Sequence, residues 1–531
     1  MGLATAACLA RFGIETVVIE KNRSAGEGSR AICLSRRSLE ILDWIGVADP
    51  FVAKGLGWRR GRTFYRDQQI HELCMPHSEA EKFLPMTNLQ QYYMEEFLAQ
   101  HCAKQPLVDL RWGTTLVDLL REPDETTAMV ATPEGTYRLR GSYLVATDGA
   151  RSQVRKLLGL SFAGTSFSGR YLIADIRLHS SYPTERRAWF DPPSNPGSTV
   201  LMHKQPEDIW RIDYQLHEQD DEGVELRPQS VHARVQRHLD FIGERADWDV
   251  IWTSIYRARA LALESYVHGR VVFAGDAAHL VPIFGVRGLN SGFADAHNLA
   301  WKLAWVLHGN AHGSLLRTYA WERRAATLEI HRQTEKTTRF MTPRTRGDVL
   351  MRNAALSLAV DHEFVRPLVD PRQSVPYTYR DSELNSFGNR ASAENTEEFR
   401  NGPPLGAPLR NLRVRRGPKS GHLLDWLGTG FVGVFFILGE FASDDRSLLA
   451  ELRRNCRLRL LLVTDARLDV TLEEHAERLI ILEDVTGVAG QFYDAVTGTL
   501  YLARPDGHVC ARWKRVVAAE LVSAMRIACA A

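Results

Sequence analysis

The stretch Arg270–Ala304, RVVFAGDAAHLVPIFGVRGLNSGFADAHNLAWKLA, decides how the rest of the chain is read. Val271, Val272, Phe273 and Ala274 form an apolar run short enough for a buried strand. Gly275 and Asp276 break it at its carboxyl end, and a loop carrying Pro282, Gly285 and Gly288 follows. From Asn290 onward, Phe293, Ala296, Leu299, Ala300 and Leu303 recur at helical spacing. In such a layout the carboxylate takes sugar hydroxyls, and the bare amides of the helix start face an anion or an electron-rich carbonyl. An ordinary strand-to-helix connection would use the same glycines, so the flanking stretches have to decide.

Tyr143–Leu158 repeats the pattern. Leu144, Val145 and Ala146 read as a strand, Asp148 and Gly149 as its terminal turn, and a helix carrying Arg151 and Arg155 comes next. Two such turns far apart in sequence suggest two ends of one extended ligand. At the amino terminus, residues 1–13 read as a helix rich in small residues and ended by Gly13, followed by a buried strand, Thr16–Ile19, with Glu20 at its carboxyl end. Helix, strand and acid fit the second half of a dinucleotide-binding βαβ unit, in which the acid would bind ribose hydroxyls and Gly2 would stand as the third glycine of GxGxxG, and fit equally an ordinary amphipathic helix followed by a strand. The first strand and the first two glycines of that unit are not in the sequence. Loss of a central strand would cost more than a domain's whole stability of about 5–15 kcal/mol. We therefore expect an upstream in-frame segment of the form VxIVGxGPxG, with a GTG valine codon read as the initiator.

Between these landmarks, Arg30 could place a guanidinium near phosphate or ribose, or simply be solvated. Gln90 and Gln91 open a helix with amide side chains on its first turn. Trp58–Leu73 reads as a hairpin, and Phe167 to about Ala262 as short alternating strands, a mostly antiparallel sheet suited to wall a substrate pocket. The chain is helical from Asn290 to about Leu358, and Ser382–Pro404 is a polar linker candidate. Beyond it lies an α/β region of thioredoxin-like proportions. Its strands are Phe431–Leu438, Leu458–Val463, Tyr501–Ala503 and Val509–Trp513, with a helix at Leu472–Ala476, a turn at Arg504–Gly507 and a terminal helix. No cysteine follows its first strand, which excludes CxxC chemistry there.

At 531 residues the chain exceeds a single core, and about two to four domains are expected. Hydrophobic content of 44% and charged content of 24% describe a globular protein. With 66 basic and 64 acidic residues, the net charge of +2 supplies no field for nucleic acid or an anionic membrane. No apolar run approaches a membrane span. Seven scattered cysteines without CxxC or a His–Cys cluster indicate neither a disulfide framework nor a metal site, and fit a reducing cytoplasm.

Together these motifs resemble the FAD-dependent aromatic hydroxylases of the para-hydroxybenzoate hydroxylase fold, in the branch of phenol, hydroxyphenylpropionate and polyketide hydroxylases. The resemblance spans nearly the whole chain. It rests on Gly275-Asp276 with Pro282, Gly285, Gly288, Asn290, Gly292 and Asp295, on Asp148-Gly149 with Arg151 and Arg155, and on Arg504-Pro505-Asp506-Gly507. It implies an α/β fold with a Rossmann-like FAD-binding domain at 1–166 and 263–345 and an inserted, mostly antiparallel substrate sheet at 167–262. A helical and loop linker at 346–403 and a thioredoxin-like domain at 404–531 complete it.

The resemblance gives Gly2, Glu20, Arg30, Gln91, Asp148, Gly149, Gly275, Asp276, Pro282, Gly285, Gly288, Leu289 and Asn290 to the cofactor. By the same resemblance NAD(P)H reduces FAD, O2 forms a flavin hydroperoxide, and its distal oxygen passes to a phenolic ring. A polyketide-tailoring monooxygenase would share every motif, whether it hydroxylates, epoxidises or inserts oxygen. A reductase on the same fold would make no oxygenated product, and a shortened chain would bind FAD badly or not at all. A general base is expected but not identified by sequence; His203, Tyr214 and Tyr256 lie on pocket-candidate strands, and Arg287 could meet an acidic substrate. A small aromatic or polyketide substrate, no nucleic acid or membrane partner, and a homodimer complete the expectation.

Overall fold

The computed structural model describes the chain except residues 27, 29, 283, 344, 370–374, 387–398, 456–457, 466–477 and 530–531. The helix expected at Leu472–Ala476 and part of the linker candidate lie outside the described residues. The chain opens with α1 (Gly2–Arg11), whose Ala4, Ala6, Ala7 and Cys8 are buried, and Gly13 ends it at φ +78°. Then come β1 (Thr16–Glu20), β2 (Cys33–Ser35) and α2 (Arg36–Trp44). The hairpin of β3 (Arg60–Tyr65) and β4 (Gln68–Cys74) follows, then α3 (Gln91–Ala103), β5 (Val108–Trp112), β6 (Leu144–Ala146) and α4 (Gln153–Leu157).

β1 pairs in parallel with β5 and with no other described strand. The expected buried strand at Thr16–Ile19 is in fact half-buried, with Val17 46% exposed, because β1 is paired along one edge only. Arg151 also departs from expectation: it precedes the N-cap Ser152 and stands in the turn, not on α4.

The next strands are β7 (Ala163–Leu178), β8 (Arg186–Phe190), β9 (Thr199–Lys204) and β10 (Ile209–Leu216). After α5 (Pro228–Phe241) come β11 (Trp248–Ala262), β12 (Val271–Phe273) and β13 (His279–Leu280). β12 pairs in parallel with β6. The other strands build an eight-stranded sheet in the order β13-β11-β7-β10-β9-β8-β3-β4. Its ladders are antiparallel except β8 with β3. The sheet expected from Phe167 to Ala262 thus begins earlier and recruits the hairpin 60–74, a pairing distant in sequence that local periodicity does not reveal.

Alternation gives this sheet two unlike faces. Leu172, Ala174, Ile176, Val200, Met202, Trp210, Ile212 and Tyr214 pack with Val231, Val235 and Leu239 of α5. Tyr214, considered for the pocket, therefore points away from it. The opposite face carries Tyr171, Ile173, Asp175, Leu201, His203, Arg211, Asp213 and Tyr256, cross-strand partners or next neighbours in register.

Three helices follow, α6 (Gly288–Leu307), α7 (Leu315–Met341) and α8 (Arg346–Asp361). Asn290 locks the start of α6 to the β2 segment. Its Oδ1 accepts from the Ser35 amide at 2.8 Å and Ser38 Oγ at 2.6 Å, and its Nδ2 donates to the carbonyls of Cys33 at 3.2 Å and Val286 at 2.7 Å. Beyond residue 400 a seven-stranded sheet forms, with Val432–Ile437, Arg459–Thr464 and Leu479–Asp484 parallel at its centre. Trp301 of α6 and Leu315 of α7 share a core with its Phe431, Phe435 and Leu500.

Two buried charge networks fasten these layers. Asp295 accepts from the Gly275 amide at 2.9 Å and from Arg323 Nε at 2.6 Å, and meets His279 Nε2 at 2.7 Å. Beside it, Glu322 accepts from Lys302 Nζ at 2.7 Å, Arg504 Nη1 at 2.6 Å, Asn298 Nδ2 at 2.7 Å and Ser382 Oγ at 2.5 Å. Arg504 reaches on to Asp506 Oδ2 at 2.6 Å, so the expected turn at Arg504–Gly507 is an internal joint.

Burial alone would raise both carboxyls, but His279 and Arg323 hold Asp295 down at about 2, and Arg504 and Lys302 hold Glu322 at about 2. A carboxyl depressed in the folded state stabilises above its unfolded value, 4.5 for Glu322, and loses that contribution as pH falls toward about 2. Glu322→Gln leaves Lys302 and Arg504 short of their counter-charge, and we expect a loss of about 3–5 kcal/mol in urea unfolding at neutral pH. The gap to wild type should close as pH falls through that window. Asn290→Ala strands the Ser35 amide and the Cys33 carbonyl in the core, and should cost about 2–4 kcal/mol in the same measurement.

Candidate cofactor and substrate site

Three acids stand at the carboxyl ends of parallel strands: Glu20 after β1, Asp148 after β6 and Asp276 after β12. That end of an open α/β sheet is where ligands bind. Around the start of α1, the charges of Glu95, Asp276 and Glu20 all act on the Met1 amino group, so residues from three distant segments converge there. Backbone approach is close throughout. A Cβ on Gly2 would lie 2.9 Å from Thr147 Oγ1, and one on Gly275 or Gly292 would lie 2.8 or 2.4 Å from Met1 side-chain atoms.

Neither α1 nor α6 has a side-chain cap, which leaves the first amides of each, Gly288, Leu289 and Asn290 among them, available to a ligand. Arg155 ties the two acid turns together by donating to the carbonyls of Ala150 at 2.6 Å and Ala277 at 3.2 Å. Asp148 is exposed, and its Oδ2 accepts from the Val154 amide at 3.0 Å, while Gly149 turns the chain at φ +76°.

Arg30 is exposed, and its charge acts on Asp276. Gln91 does not stand apart: its Oε1 accepts from the Ala31 amide at 3.1 Å and its Nε2 donates to Glu95 at 2.7 Å, so it holds the Arg30 segment against α3. Gln90 is buried, donates to the Pro206 carbonyl at 3.1 Å, and leaves its Oε1 unpaired.

The loop between β13 and α6 runs over the polar face of the eight-stranded sheet. Pro282 is buried, Tyr256 Oη donates to the Val281 carbonyl at 3.3 Å, and Phe284 meets the Tyr171 ring edge-on at 5.5 Å. Gly285 takes φ +81° and Val286 takes φ +59°. A β-branched residue in the left-handed region stores about 1–2 kcal/mol of strain, which marks this loop as functionally constrained. Arg287 bonds Gln333 of α7 at 2.7 Å. It lines a cavity of about 430 Å³ walled by α2, α6, α7, residues 375–381 and His508, none of them from the eight-stranded sheet.

Under the loop lies a polar cluster of which sequence reading singled out only His203. Arg211 pairs twice with Asp175, at 2.7 and 2.8 Å, and donates to the Arg30 carbonyl at 2.8 Å. Next to it on the same face of β10, Asp213 is 7% exposed, and its Oδ1 has no hydrogen-bond partner among the described residues. Burial raises its carboxyl to about 7, against the lowering effect of Arg211 and Arg186. His203 is equally buried, its Nδ1 is without a partner among the described residues, and burial followed by Arg186 and Arg211 keeps its ring neutral. The available signal was two ionisable residues alternating with Trp210, Ile212 and Tyr214 on one apolar strand.

Uncapped helix starts, acids at strand ends and glycines that admit close approach fit a long dinucleotide such as FAD. Residues 1–334 match the FAD binding domain family. A 3-(3-hydroxy-phenyl)propionate/3-hydroxycinnamic acid hydroxylase 2 of Burkholderia vietnamiensis is 26% identical over 99% of this chain and 94% of its own. A 3-(3-hydroxy-phenyl)propionate/3-hydroxycinnamic acid hydroxylase of Mycolicibacterium smegmatis is 26% identical over 95% of this chain and 87% of its own. Among solved structures, the flavin-dependent monooxygenase PieE with FAD and substrate superposes with TM-score 0.77 at 21% identity, covering 100% of this chain and 97% of that one. Aklavinone-11 hydroxylase with FAD and aklavinone gives 0.73 at 22%, with the same coverage. These last two show a shared α/β fold. With well over half of its length matched, the chain belongs to the FAD binding domain family.

Proposed function

We propose that this protein is an FAD-dependent monooxygenase that uses NAD(P)H and O2 to hydroxylate a phenolic ring. The observation that carries this reading is the polar sheet face closed over by the 281–288 loop. It sets a buried carboxyl and a neutral imidazole opposite the elements that would hold a flavin. The named relatives act on hydroxyphenylpropionate and hydroxycinnamate, which supports a phenol with a short side chain as the substrate class.

Bound FAD, once reduced by NAD(P)H, supplies the oxygen-transfer chemistry. The chain's own residues bind, orient and seal. Glu20 would take the adenosine ribose and Asp276 the ribityl hydroxyls, and Gly2 would admit the pyrophosphate beside the start of α1. Amides of Gly288, Leu289 and Asn290 would face the pyrimidine edge, where the helix dipole favours negative charge. Asp148 and Gly149, braced by Arg155 against the Asp276 turn, would complete the cofactor wall, with Gln91 setting the Arg30 segment. Pro282 and Gly285 would shape the loop over the ring and keep water from it.

The same reading divides the chain into a Rossmann-like cofactor domain at 1–166 and 263–345 and a substrate sheet at 167–262, to which the 60–74 hairpin adds. Residues 346–403 connect these to a thioredoxin-like domain at 404–531. It also makes the protein a homodimer; Leu350, Met351, Phe364 and Leu368, 62–79% exposed along one segment, support an apolar contact surface. Seven scattered cysteines with no CxxC support a reducing compartment such as the cytoplasm. No described helix is long and apolar enough to cross a membrane.

The test is a panel of phenols, 3-(3-hydroxyphenyl)propionate among them, added to FAD-loaded protein with NADH or NADPH. We expect reductant oxidation that depends on the phenol and a product heavier by one oxygen. Oxidation indifferent to every phenol, with no oxygenated product, would overturn the reading.

A further inference from the structure

Asp213 is a buried carboxyl whose Oδ1 has no hydrogen-bond partner among the described residues. Its strand neighbour Arg211 could have paired with it, but is committed to Asp175 through two hydrogen bonds of 2.7 and 2.8 Å. Asp213 lies cross-strand from Ile173 on β7 and Leu201 on β9. One step along β7, Tyr171 touches Phe284 of the loop that carries Pro282. One step the other way along the same face of β10, Arg211 holds the Arg30 segment. The carboxyl is thereby placed between the two segments that flank the expected flavin ring. A buried carboxylate oxygen left unpaired is costly unless a ligand or a proton compensates it, so its position points to use.

We propose that Asp213 is the proton acceptor for the phenolic hydroxyl of the substrate, a role that rests on the phenol-hydroxylase reading above. In the step, the phenol O–H bond breaks, the proton passes to a carboxylate oxygen of Asp213, and the electron pair stays on the phenol oxygen. Nothing is oxidised, and the carboxyl returns its proton when the product leaves as a neutral phenol.

Charge conservation selects Asp213 over its neighbour. Transfer to a carboxylate moves one negative charge a short distance and creates none. Transfer to His203 would create an imidazolium beside Arg186 and Arg211, both of which already oppose it. The groups facing Asp213 are Asp175 and Tyr171 on β7, Arg186 on β8, His203 on β9 and Arg211 on its own strand. The two arginines favour the anion on either oxygen, and Asp175 opposes it. A proton affinity near neutrality is also what a general base working there requires.

The experiment uses FAD-loaded protein and 3-nitrophenol, which is largely neutral in solution at neutral pH and absorbs differently once ionised. Absorbance reports phenolate formed on binding, and a pH electrode in weakly buffered solution counts protons released. With Asp213 as acceptor, wild type forms bound phenolate and releases almost no proton to solvent. Release of one proton per phenolate formed, or binding of wholly neutral phenol, would overturn the proposal on wild type alone. Asp213→Asn should lose the internal transfer, so that any phenolate it forms is matched by a released proton. Its hydroxylation rate should fall about a hundredfold at neutral pH. That rate should recover as pH rises through the phenol's own ionisation, whereas a merely structural defect would give no such recovery. Absence of any binding by 3-nitrophenol would instead overturn the phenol reading, and the proposal with it.

Discussion

Two consecutive residues of α7 fasten this molecule. Arg323 turns toward Asp295 and, through it, fixes the Gly275 amide at the turn after β12. Glu322 turns the other way and gathers Lys302 from α6 and Arg504 from the carboxyl-terminal sheet. Both networks are fully buried, and a buried charge that loses its partner is far more destabilising than an exposed one. The Gly275 turn and the carboxyl-terminal region are therefore fixed by neighbouring residues of one helix.

Around this frame the site is held indirectly. Several residues that motif reasoning gives to the ligand use their side chains on other parts of the protein. Asn290 places its four hydrogen bonds on β2, α2 and the preceding loop, and Gln91 turns its amide to Ala31 and Glu95. Arg155 braces one acid turn against the other. What they leave to the ligand is backbone: uncapped helix starts and glycine turns. The strain at Val286 belongs to the same pattern, a loop forced into a shape that suits what lies beneath it.

The fold was legible wherever a local signal sufficed. The apolar run 271–274, the acid and glycine that end it and the helical spacing after Asn290 all describe what the backbone does there. Asp148 and Glu20 were readable for the same reason. Tyr214, Asp213 and Arg151 were not. Alternation shows that Tyr214 and Asp213 lie on opposite faces, but only the pairing of β10 with β7 and β9, and the docking of α5, shows which face is apolar. The recruitment of the 60–74 hairpin depends on a parallel contact with β8, distant in sequence. Arg504-Pro505-Asp506-Gly507 reads only as a turn because its partners, Glu322 and Asn298, are supplied by other helices.

The most direct measurement is a flavin titration of Asp295→Asn, followed by fluorescence, with Glu322→Gln beside it. Asp295→Asn removes the charge that draws Arg323 and His279 to the Gly275 turn while keeping the side chain's shape. If that network positions the cofactor turn, we expect folded Asp295→Asn to bind FAD at least about tenfold more weakly than wild type, roughly 1.4 kcal/mol. Glu322→Gln, which leaves Gly275 in place, should lose stability but keep its affinity for flavin. Unchanged FAD affinity in folded Asp295→Asn would contradict the claim that the buried charges on α6 and α7 set the geometry of the site.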